Sequence, residues 1–306
     1  MSRHFSGTLC GRLMGLQAMM LALATAGGPF AASLLRDATG SYAVCWLVAA
    51  AVFVAAVPTS GRKERFGKMD VRSSRERGHV MPAPEALAFD MYGTLVDPIR
   101  IGEQLERRLP DEASRVAEVW RQKQLEYTFR LTAMGRYEDF EQVTRKALDY
   151  ALATTGEKLG AEQKDNLMSQ YNDLEKFADV DPGLKLLREA GHELVVFSNG
   201  SPRMLEELMD RARLRPFFPR GFISVDEVGT YKPSPKVYRH VAEKLGRKVG
   251  EVRLVSSNPF DVVGAEAAGM LAAWVDRSGG PFDTLGPRPE TVVGGLDELA
   301  DALVTR

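Results

Sequence analysis

Short apolar segments that alternate with longer amphipathic stretches constrain the fold of this chain most strongly. Beyond residue 85, each segment has four or five mostly apolar residues, and most are separated by a stretch of helical length. The segments are residues 86–89, 194–197, 222–225, 252–255 and 271–275. This alternation predicts parallel strands joined by helical crossovers, and therefore an α/β fold built on a parallel sheet.

The first two predicted strands are separated by a long insertion of helical character. Helical stretches are predicted at residues 112–131, 137–154 and 161–177. An insertion of about a hundred residues is too long for a simple crossover. We therefore expect a helical cap domain at residues 99–178, inserted into a core domain formed by residues 85–98 and 179–306.

The first sixty residues differ in composition from the rest of the chain. Residues 13–35 and 38–61 carry no charged side chain, and basic residues flank the pair on both sides. Each run is long enough to span a bilayer, so residues 1–61 are expected to form a two-helix membrane hairpin with both ends in the cytoplasm. A pair of buried helices in a soluble domain is the alternative. Residues 62–84 are predicted to be a linker.

Residues 27–58 of this segment resemble the last two helices of a major facilitator transporter. The resemblance implies a transporter-like remnant, either fused to the chain or read from upstream sequence. Met69 and Met81 are alternative starts, and a chain that began at Met81 would lack the hairpin. The α/β domain is expected in the cytoplasm, anchored to the membrane through residues 13–60 if residues 1–61 are translated.

Charge and cysteine content exclude several kinds of function. The formal net charge is -1, so no basic excess points to a nucleic-acid partner. The two cysteines are Cys10 and Cys45, which leaves the predicted α/β domain without a thiol for catalysis, zinc binding or disulfides. The partner expected is therefore a small molecule bound in a pocket.

Polar residues follow four of the five predicted strands. The strands lead into Asp90, Ser198 and Asn199, Asp226, and the run from Ser256 to Asn258 with Asp261 nearby. Any one of them could simply cap a helix or a turn. Open parallel sheets bind ligands at the carboxyl ends of their strands, so together these side chains predict an active site.

The segment from Phe89 to Leu95, FDMYGTL, resembles the nucleophile loop of the haloacid dehalogenase superfamily. The resemblance extends over most of residues 85–300 and implies that Asp90 is a nucleophile that forms a covalent ester. It implies that Thr94 holds the Asp90 carboxylate and that Gly93 permits a sharp turn. The fold implied is a Rossmann-like parallel sheet with an inserted helical cap.

Two departures separate this chain from the phosphatases of that superfamily. Phosphatases have a second Asp two residues after the nucleophile, where this chain has Tyr92, and an acidic pair that holds magnesium, where it has Ser256, Ser257 and Asn258. Asp261 is the remaining carboxylate. A site this poor in carboxylates is unsuited to magnesium, so neither a metal nor another cofactor is expected.

The same departures and two cap segments resemble the type II (S)-2-haloacid dehalogenases. The cap segments are residues 120–129, WRQKQLEYTF, and residues 134–140, MGRYEDF. The resemblance implies that Arg121 receives the departing halide and that Ser198 and Asn199 bind the substrate carboxylate. On an isolated amphipathic helix, Arg121 would simply be a surface residue.

The remaining catalytic roles are implied by the same resemblance. Lys232 would keep Asp90 ionised, and it is preferred to Lys236, which falls at the start of a predicted helix. Tyr238 would orient polar groups near Lys232. Three residues of the fourth motif would steady Lys232 and position the hydrolytic water: Ser256, Asn258 and Asp261.

A mostly apolar pocket is expected around the reacting carbon. The residues at pocket-lining positions of the family are Tyr92, Gln122, Leu125, Phe140 and Phe260. Phe260 departs from the tryptophan that is commoner there, which puts the substrate range in question.

The predicted reaction is metal-independent hydrolysis of (S)-2-haloacids to (R)-2-hydroxyacids through an ester of Asp90. A superfamily phosphatase and a non-catalytic remnant attached to a membrane are the alternatives, and a homodimer is a further expectation. Magnesium dependence of phosphate hydrolysis would favour the first alternative. The competent residue at every matched catalytic position speaks against the second.

Overall fold

The computed structural model of the protein describes residues 85–304. Six parallel strands form one sheet in the order β3-β2-β1-β4-β5-β6. Their bounds are β1 Ala86–Phe89, β2 Glu193–Ser198, β3 Phe222–Ser224, β4 Val252–Ser256, β5 Leu271–Val275 and β6 Thr291–Val293. The predicted parallel α/β sheet is confirmed, and β6 is a sixth strand that the apolar pattern did not reveal.

Nine α-helices accompany the sheet within the described residues. Their bounds are α1 Ile101–Glu106, α2 Ala113–Ala133, α3 Phe140–Thr155, α4 Ala161–Tyr171, α5 Val180–Glu189, α6 Pro202–Arg211, α7 Pro235–Leu245, α8 Pro259–Ala267 and α9 Leu299–Val304. Proline at the first position of α6, α7 and α8 fits helix starts, because this position needs no backbone N–H donor.

The position of β1 explains where a ligand can bind. β1 lies in the middle of the sheet, hydrogen-bonded to β2 on one side and to β4 on the other. The chain runs outward in opposite directions from this strand, which creates a crevice at its carboxyl end. All four residues of β1 are buried, so the strand is a rigid base for the residue that follows it.

Helices α1 to α4 all lie between β1 and β2 in the chain and pack against one another. The chain leaves and re-enters the sheet domain along two adjacent segments. Asp97 N–H donates to Glu175 O at 3.0 Å, and Phe177 N–H donates to Leu95 O at 3.2 Å. The two segments that connect helices α1 to α4 to the sheet therefore run side by side.

The predicted membrane hairpin and its transporter-like resemblance lie outside the described residues. Within residues 85–304, no helix combines the length and the apolar character needed to cross a bilayer.

Candidate active site

Asp90 directly follows β1 and is held by three side chains. The residue is 6% exposed, and Oδ2 accepts hydrogen bonds from Thr94 Oγ1 at 3.1 Å and from Asn258 Nδ2 at 2.7 Å. Oδ1 accepts from Lys232 Nζ at 3.0 Å. Three donors fix the orientation of this carboxylate.

Lys232 is a fully buried ammonium group with all three of its donors engaged. Besides Asp90, Nζ donates to Asp261 Oδ2 at 2.8 Å and to Phe197 O at 2.9 Å. Burial alone lowers the pKa of Lys232, but the charges of Asp261 and Asp90 outweigh it and raise the pKa above its ordinary value. The lysine therefore stays protonated and neutralises part of the charge of two carboxylates.

Asp261 is the second carboxylate that holds Lys232. Its Oδ1 accepts the Tyr238 hydroxyl at 2.7 Å, while Oδ2 accepts Lys232. Burial raises the pKa of Asp261, an effect that Lys232 and the Tyr238 hydroxyl oppose. Burial likewise raises the pKa of Tyr238 well above its ordinary value, so Tyr238 remains a neutral donor. Asp261 and Tyr238 are thus placed to position Lys232.

The nucleophile loop, residues 89–95, is hydrogen-bonded to the segment that follows β4. Thr94 Oγ1 accepts the Ser257 N–H at 2.9 Å while it donates to Asp90, and Asn258 Nδ2 also donates to Tyr92 O at 3.0 Å. Gly93 has a φ of 90°, a left-handed conformation that strains residues with a side chain. A glycine is therefore needed at the turn that brings Thr94 back to the carboxylate.

Arg121 reaches the site from α2 and is oriented by a buried glutamine. Arg121 Nη1 donates to Gln124 Oε1 at 2.7 Å, and the Tyr171 hydroxyl donates to the same oxygen at 3.0 Å. Gln124 Nε2 donates in turn to Thr144 Oγ1 at 2.7 Å. This chain of bonds across α2, α3 and α4 fixes the guanidinium of Arg121.

Gln124 was missed in the sequence, although a signal for it existed. It lies four residues after Trp120 on the buried face of α2, where an apolar residue would be expected. A polar residue on such a face usually makes a specific hydrogen bond.

A small pocket of about 10 Å³ joins Asp90 to Arg121. Its lining contains these two residues and Tyr92, Leu125, Phe140, Asn199, Lys232, Asn258 and Phe260. The Tyr92 hydroxyl is buried and has no hydrogen-bond partner among the described residues. Burial raises the pKa of Tyr92 well above its ordinary value, so this hydroxyl is a neutral donor available to a ligand.

Asn199 lies in the same pocket and contacts the loop that carries Lys232. Its Oδ1 accepts the Lys232 backbone N–H at 3.1 Å. This leaves the amide nitrogen of Asn199 as the donor for a ligand.

Six predicted site residues do not line this pocket: Thr94, Tyr238 and Asp261, whose contacts are described above, and Gln122, Ser198 and Ser256. Gln122 is exposed and lines a separate cavity outside it, beside α1. The Ser198 hydroxyl accepts the Gly200 N–H at 3.1 Å, and the Ser256 hydroxyl accepts the Asn258 N–H at 3.1 Å. Both serines are buried and therefore shape the loops from which Asn199 and Asn258 reach the pocket.

Arg277, which follows β5, supports the nucleophile loop and was also missed. Its guanidinium donates to Thr94 O at 3.0 Å and to Gly93 O at 3.4 Å, and it pairs with Asp179 at 2.7 Å. No pattern in the sequence indicates this role, because it depends on how the loop after β5 packs against the loop after β1.

The side chains at this site do not fit a divalent cation. The ammonium of Lys232 already lies between Asp90 and Asp261, at 3.0 and 2.8 Å, and would repel a metal ion there. Within residues 85–304, no group of three or more His, Cys, Asp or Glu side chains is arranged to hold a metal. The lysine charge thus takes the place that a metal ion would need.

Comparison with known proteins finds one family of hydrolases and its members. The family described as haloacid dehalogenase-like hydrolase matches residues 84–269. An (S)-2-haloacid dehalogenase from Pseudomonas sp. (strain YL) is 34% identical over 221 residues, which cover 72% of this chain and 95% of that protein. An (S)-2-haloacid dehalogenase from Xanthobacter autotrophicus is 41% identical over 193 residues, 63% of this chain and 75% of that protein.

A solved structure with a bound organic group is also similar. It is L-2-haloacid dehalogenase from Xanthobacter autotrophicus with chloropropionic acid covalently bound, at 36% identity and a TM-score of 0.66. The match covers 71% of this chain and 97% of that one.

Proposed function

This chain belongs to the haloacid dehalogenase-like hydrolase family, and on that premise we propose that it hydrolyses (S)-2-haloacids to (R)-2-hydroxyacids. The observation that carries the proposal is the Asp90 carboxylate, held by Thr94, Asn258 and Lys232 in a pocket that it shares with Arg121. The enzyme is therefore a hydrolase that acts on carbon–halogen bonds, as its relatives are.

In the first step, Asp90 attacks C2 of the substrate. Oδ2 already accepts two hydrogen bonds, whereas Oδ1 accepts one, from Lys232. Because each carboxylate oxygen has about two acceptor positions, Oδ1 retains a lone pair for the attack. The new C–O bond forms as the C–halogen bond breaks, with inversion at C2, and the halide leaves with the bonding electrons.

Arg121 stabilises the halide as it forms. A guanidinium is a strong donor to an anion, and Gln124 holds it in place before the reaction begins, so little reorganisation is needed. The free hydroxyl of Tyr92 and the amide of Asn199 are the neutral donors available to the substrate carboxylate.

In the second step, water attacks the carbonyl carbon of the aspartyl ester. The bond between this carbon and the Asp90 oxygen now attached to C2 breaks, and that oxygen takes one proton of the water while the other is released to solvent. The 2-hydroxyacid leaves, and the Asp90 carboxylate is restored with the water oxygen in it. Thr94 and Asn258, which donate to Oδ2, stabilise the negative charge that develops on the ester carbonyl, while Lys232 stays protonated beside Oδ1. The related structure with covalently bound chloropropionic acid supports this two-step route.

Chloride release from (S)-2-chloropropionate tests the proposal. Asp90→Asn is expected to abolish release, whereas Asp165→Asn on the exposed surface of α4 should retain wild-type activity. A chelator should leave the wild-type rate unchanged. Full activity of Asp90→Asn would refute the assigned nucleophile, and magnesium-dependent hydrolysis of p-nitrophenyl phosphate would indicate a phosphatase instead.

We also propose, from the sequence alone, that residues 1–61 anchor the enzyme to a membrane with its catalytic domain in the cytoplasm, and that the enzyme is a homodimer. Cell fractionation combined with mapping of the amino terminus tests the anchor. A chain that starts at Met81 and is recovered in the soluble fraction would contradict it. Sedimentation of the purified enzyme tests the dimer.

A further inference from the structure

An apolar groove adjoins the active-site pocket and shares the side chain of Phe260 with it. Its volume is about 590 Å³, compared with about 10 Å³ for the pocket at Asp90. We call it the α2–α8 groove, and its lining residues are Phe129, Thr132, Ala133, Pro233, Ser234, Phe260, Val263, Gly264, Ala267, Asp283 and Leu285.

Two helix faces form most of the groove. Phe260, Val263, Gly264 and Ala267 are spaced three, four and seven residues from the first, so they lie on one face of α8. Phe129, Thr132 and Ala133 have the same spacing on α2. The groove is thus a gap between α8, a helix of the sheet domain, and α2, one of the inserted helices α1 to α4.

Phe260 is the wall that the groove shares with the catalytic pocket. The ring lines both spaces and is only partly buried. It packs edge-on against Phe129, with ring centroids 5.2 Å apart and an interplanar angle of 70°. Rotation of this single ring would connect the two spaces.

The catalytic pocket and the α2–α8 groove differ in the charges that line them. At the catalytic end, Arg121 attracts an anion, whereas the one ionisable residue that lines the groove is Asp283, which repels one. A 2-haloalkanoic acid with its halogen beside Arg121 and its carboxylate beside Tyr92 and Asn199 would keep both groups away from Asp283. Its chain would then extend past Phe260 into apolar surroundings.

We propose that the α2–α8 groove is a subsite for the alkyl chain of longer 2-haloalkanoic acids, with Phe260 as the residue that admits the chain. The inference rests on the proposed function, because it assigns a substrate class to the same site. Each methylene that becomes buried in the groove contributes to binding in the transition state, which corresponds to roughly a fourfold rise in kcat/KM.

The test is halide release by the full-length enzyme from (S)-2-bromopropanoate, (S)-2-bromobutanoate, (S)-2-bromohexanoate and (S)-2-bromooctanoate. The expected kcat/KM rises with chain length up to the hexanoate or octanoate. Ala133→Glu places a charge on the exposed rim of the groove. We expect it to lower kcat/KM for the hexanoate about tenfold while changing that for the propanoate less than about twofold.

Ala153→Glu is the matched control, because Ala153 is an exposed alanine of α3 that does not line the groove. It should leave the chain-length profile unchanged. Phe260→Trp should lower the hexanoate-to-propanoate ratio of kcat/KM, since a larger ring narrows the passage.

Activity on the propanoate that declines steadily with chain length, and is insensitive to Ala133→Glu, would overturn the subsite and leave the proposed function intact. No halide release from any of the four acids would instead refute the proposed function. An unchanged profile together with an altered sedimentation mass of Ala133→Glu would assign the groove to a contact between copies of the chain.

Discussion

At the scale of single residues, Lys232 sets the charge of the site. Its three donors join Asp90, Asp261 and the carbonyl of Phe197, and the side chain is 1% exposed. Because the pKa of Lys232 is raised, its charge is fully present below the ordinary lysine value of 10.5 and is lost as the pH rises through the raised value. The stabilisation therefore extends over the neutral and mildly alkaline range and declines in acid, where the carboxyl groups are protonated.

Lys232→Met tests this role. Two buried carboxylates would lose their common cation, so the free energy of unfolding at neutral pH should fall by about 3–5 kcal/mol and halide release should be nearly abolished. The stability deficit should shrink as the pH falls, because protonated carboxyl groups no longer need the cation. Denaturant titrations over a range of pH measure this difference in the free energy of unfolding between wild type and variant.

Lys236→Met is the matched control for this variant. Lys236 is exposed at the start of α7, so the change should cost less than about 0.5 kcal/mol and leave activity intact. Equal effects of the two substitutions would contradict the assignment of Lys232.

Two glutamines of α2 provide a second comparison of single residues. Gln124→Leu removes the acceptor that orients Arg121 and should lower kcat about tenfold to a hundredfold. The loss should be larger for chloride than for bromide as leaving group, since chloride depends more on stabilisation by the guanidinium. Gln124→Glu retains an acceptor and should retain more activity.

Gln122→Leu should leave kcat close to wild type, because Gln122 is exposed and lies outside the pocket. Steady-state rates with (S)-2-chloro- and (S)-2-bromopropionate make both comparisons. A stronger effect at Gln122 than at Gln124 would show that the guanidinium is not held as described.

At the scale of elements, the nucleophile loop depends on the loop that follows β5. Arg277 donates to the backbone carbonyls of Gly93 and Thr94, and Asp179 holds Arg277 while it also accepts the Leu296 N–H at 2.7 Å. Although burial opposes the effect, Arg277 and the Leu296 N–H hold the pKa of Asp179 below its ordinary value. The ion pair thus ties the start of α5 to the turn that carries Asp90.

Asp179→Asn should lower the free energy of unfolding by about 1–3 kcal/mol at neutral pH. A lowered pKa means that the stabilisation is present above the ordinary value of 3.8 and is lost as the pH falls through the lowered value. Wild type and variant should therefore converge in strong acid. Asp181→Asn, an exposed position of the same helix, is the control and should have little effect. A difference that persists at low pH would contradict the ion-pair explanation.

The elements also explain which site residues could be predicted from the sequence. Asp90, Asn199 and Asn258 directly follow strands, and the carboxyl ends of neighbouring parallel strands necessarily meet. Arg121 and Leu125 are four residues apart and share a face of α2, whereas Gln122 is rotated by about 100° from Arg121. The placement of Gln122 outside the pocket therefore follows from helix geometry.

Other features depend on packing between distant segments. Gln124 acquires its function through Thr144 and Tyr171 on two other helices. Arg277 acquires its function through a loop 183 residues earlier in the chain. β6 has only three residues, too few for a recognisable apolar period.

At the scale of the whole molecule, the end of a sheet strand supplies Asp90 and the inserted helices supply Arg121. Additional contacts join the two parts near the site: the Tyr137 hydroxyl donates to Asp226 at 2.7 Å, and the Tyr231 hydroxyl donates to Glu138 O at 2.5 Å. A pocket of about 10 Å³ has room for about one water molecule. Substrate entry therefore requires side chains such as Phe260 to rotate, or α1 to α4 to move about the paired segments at residues 95–97 and 175–177.

A single turnover in water labelled with oxygen-18 tests the central claim most directly. Enzyme in excess is mixed with (S)-2-chloropropionate, and the peptide that contains Asp90 and the product are analysed by mass spectrometry. Because water attacks the aspartyl ester carbonyl, one labelled oxygen should appear in the Asp90 carboxylate and none in the hydroxyl of the first product. Label in that hydroxyl, with Asp90 unlabelled, would mean that water displaces the halide directly and would contradict the account.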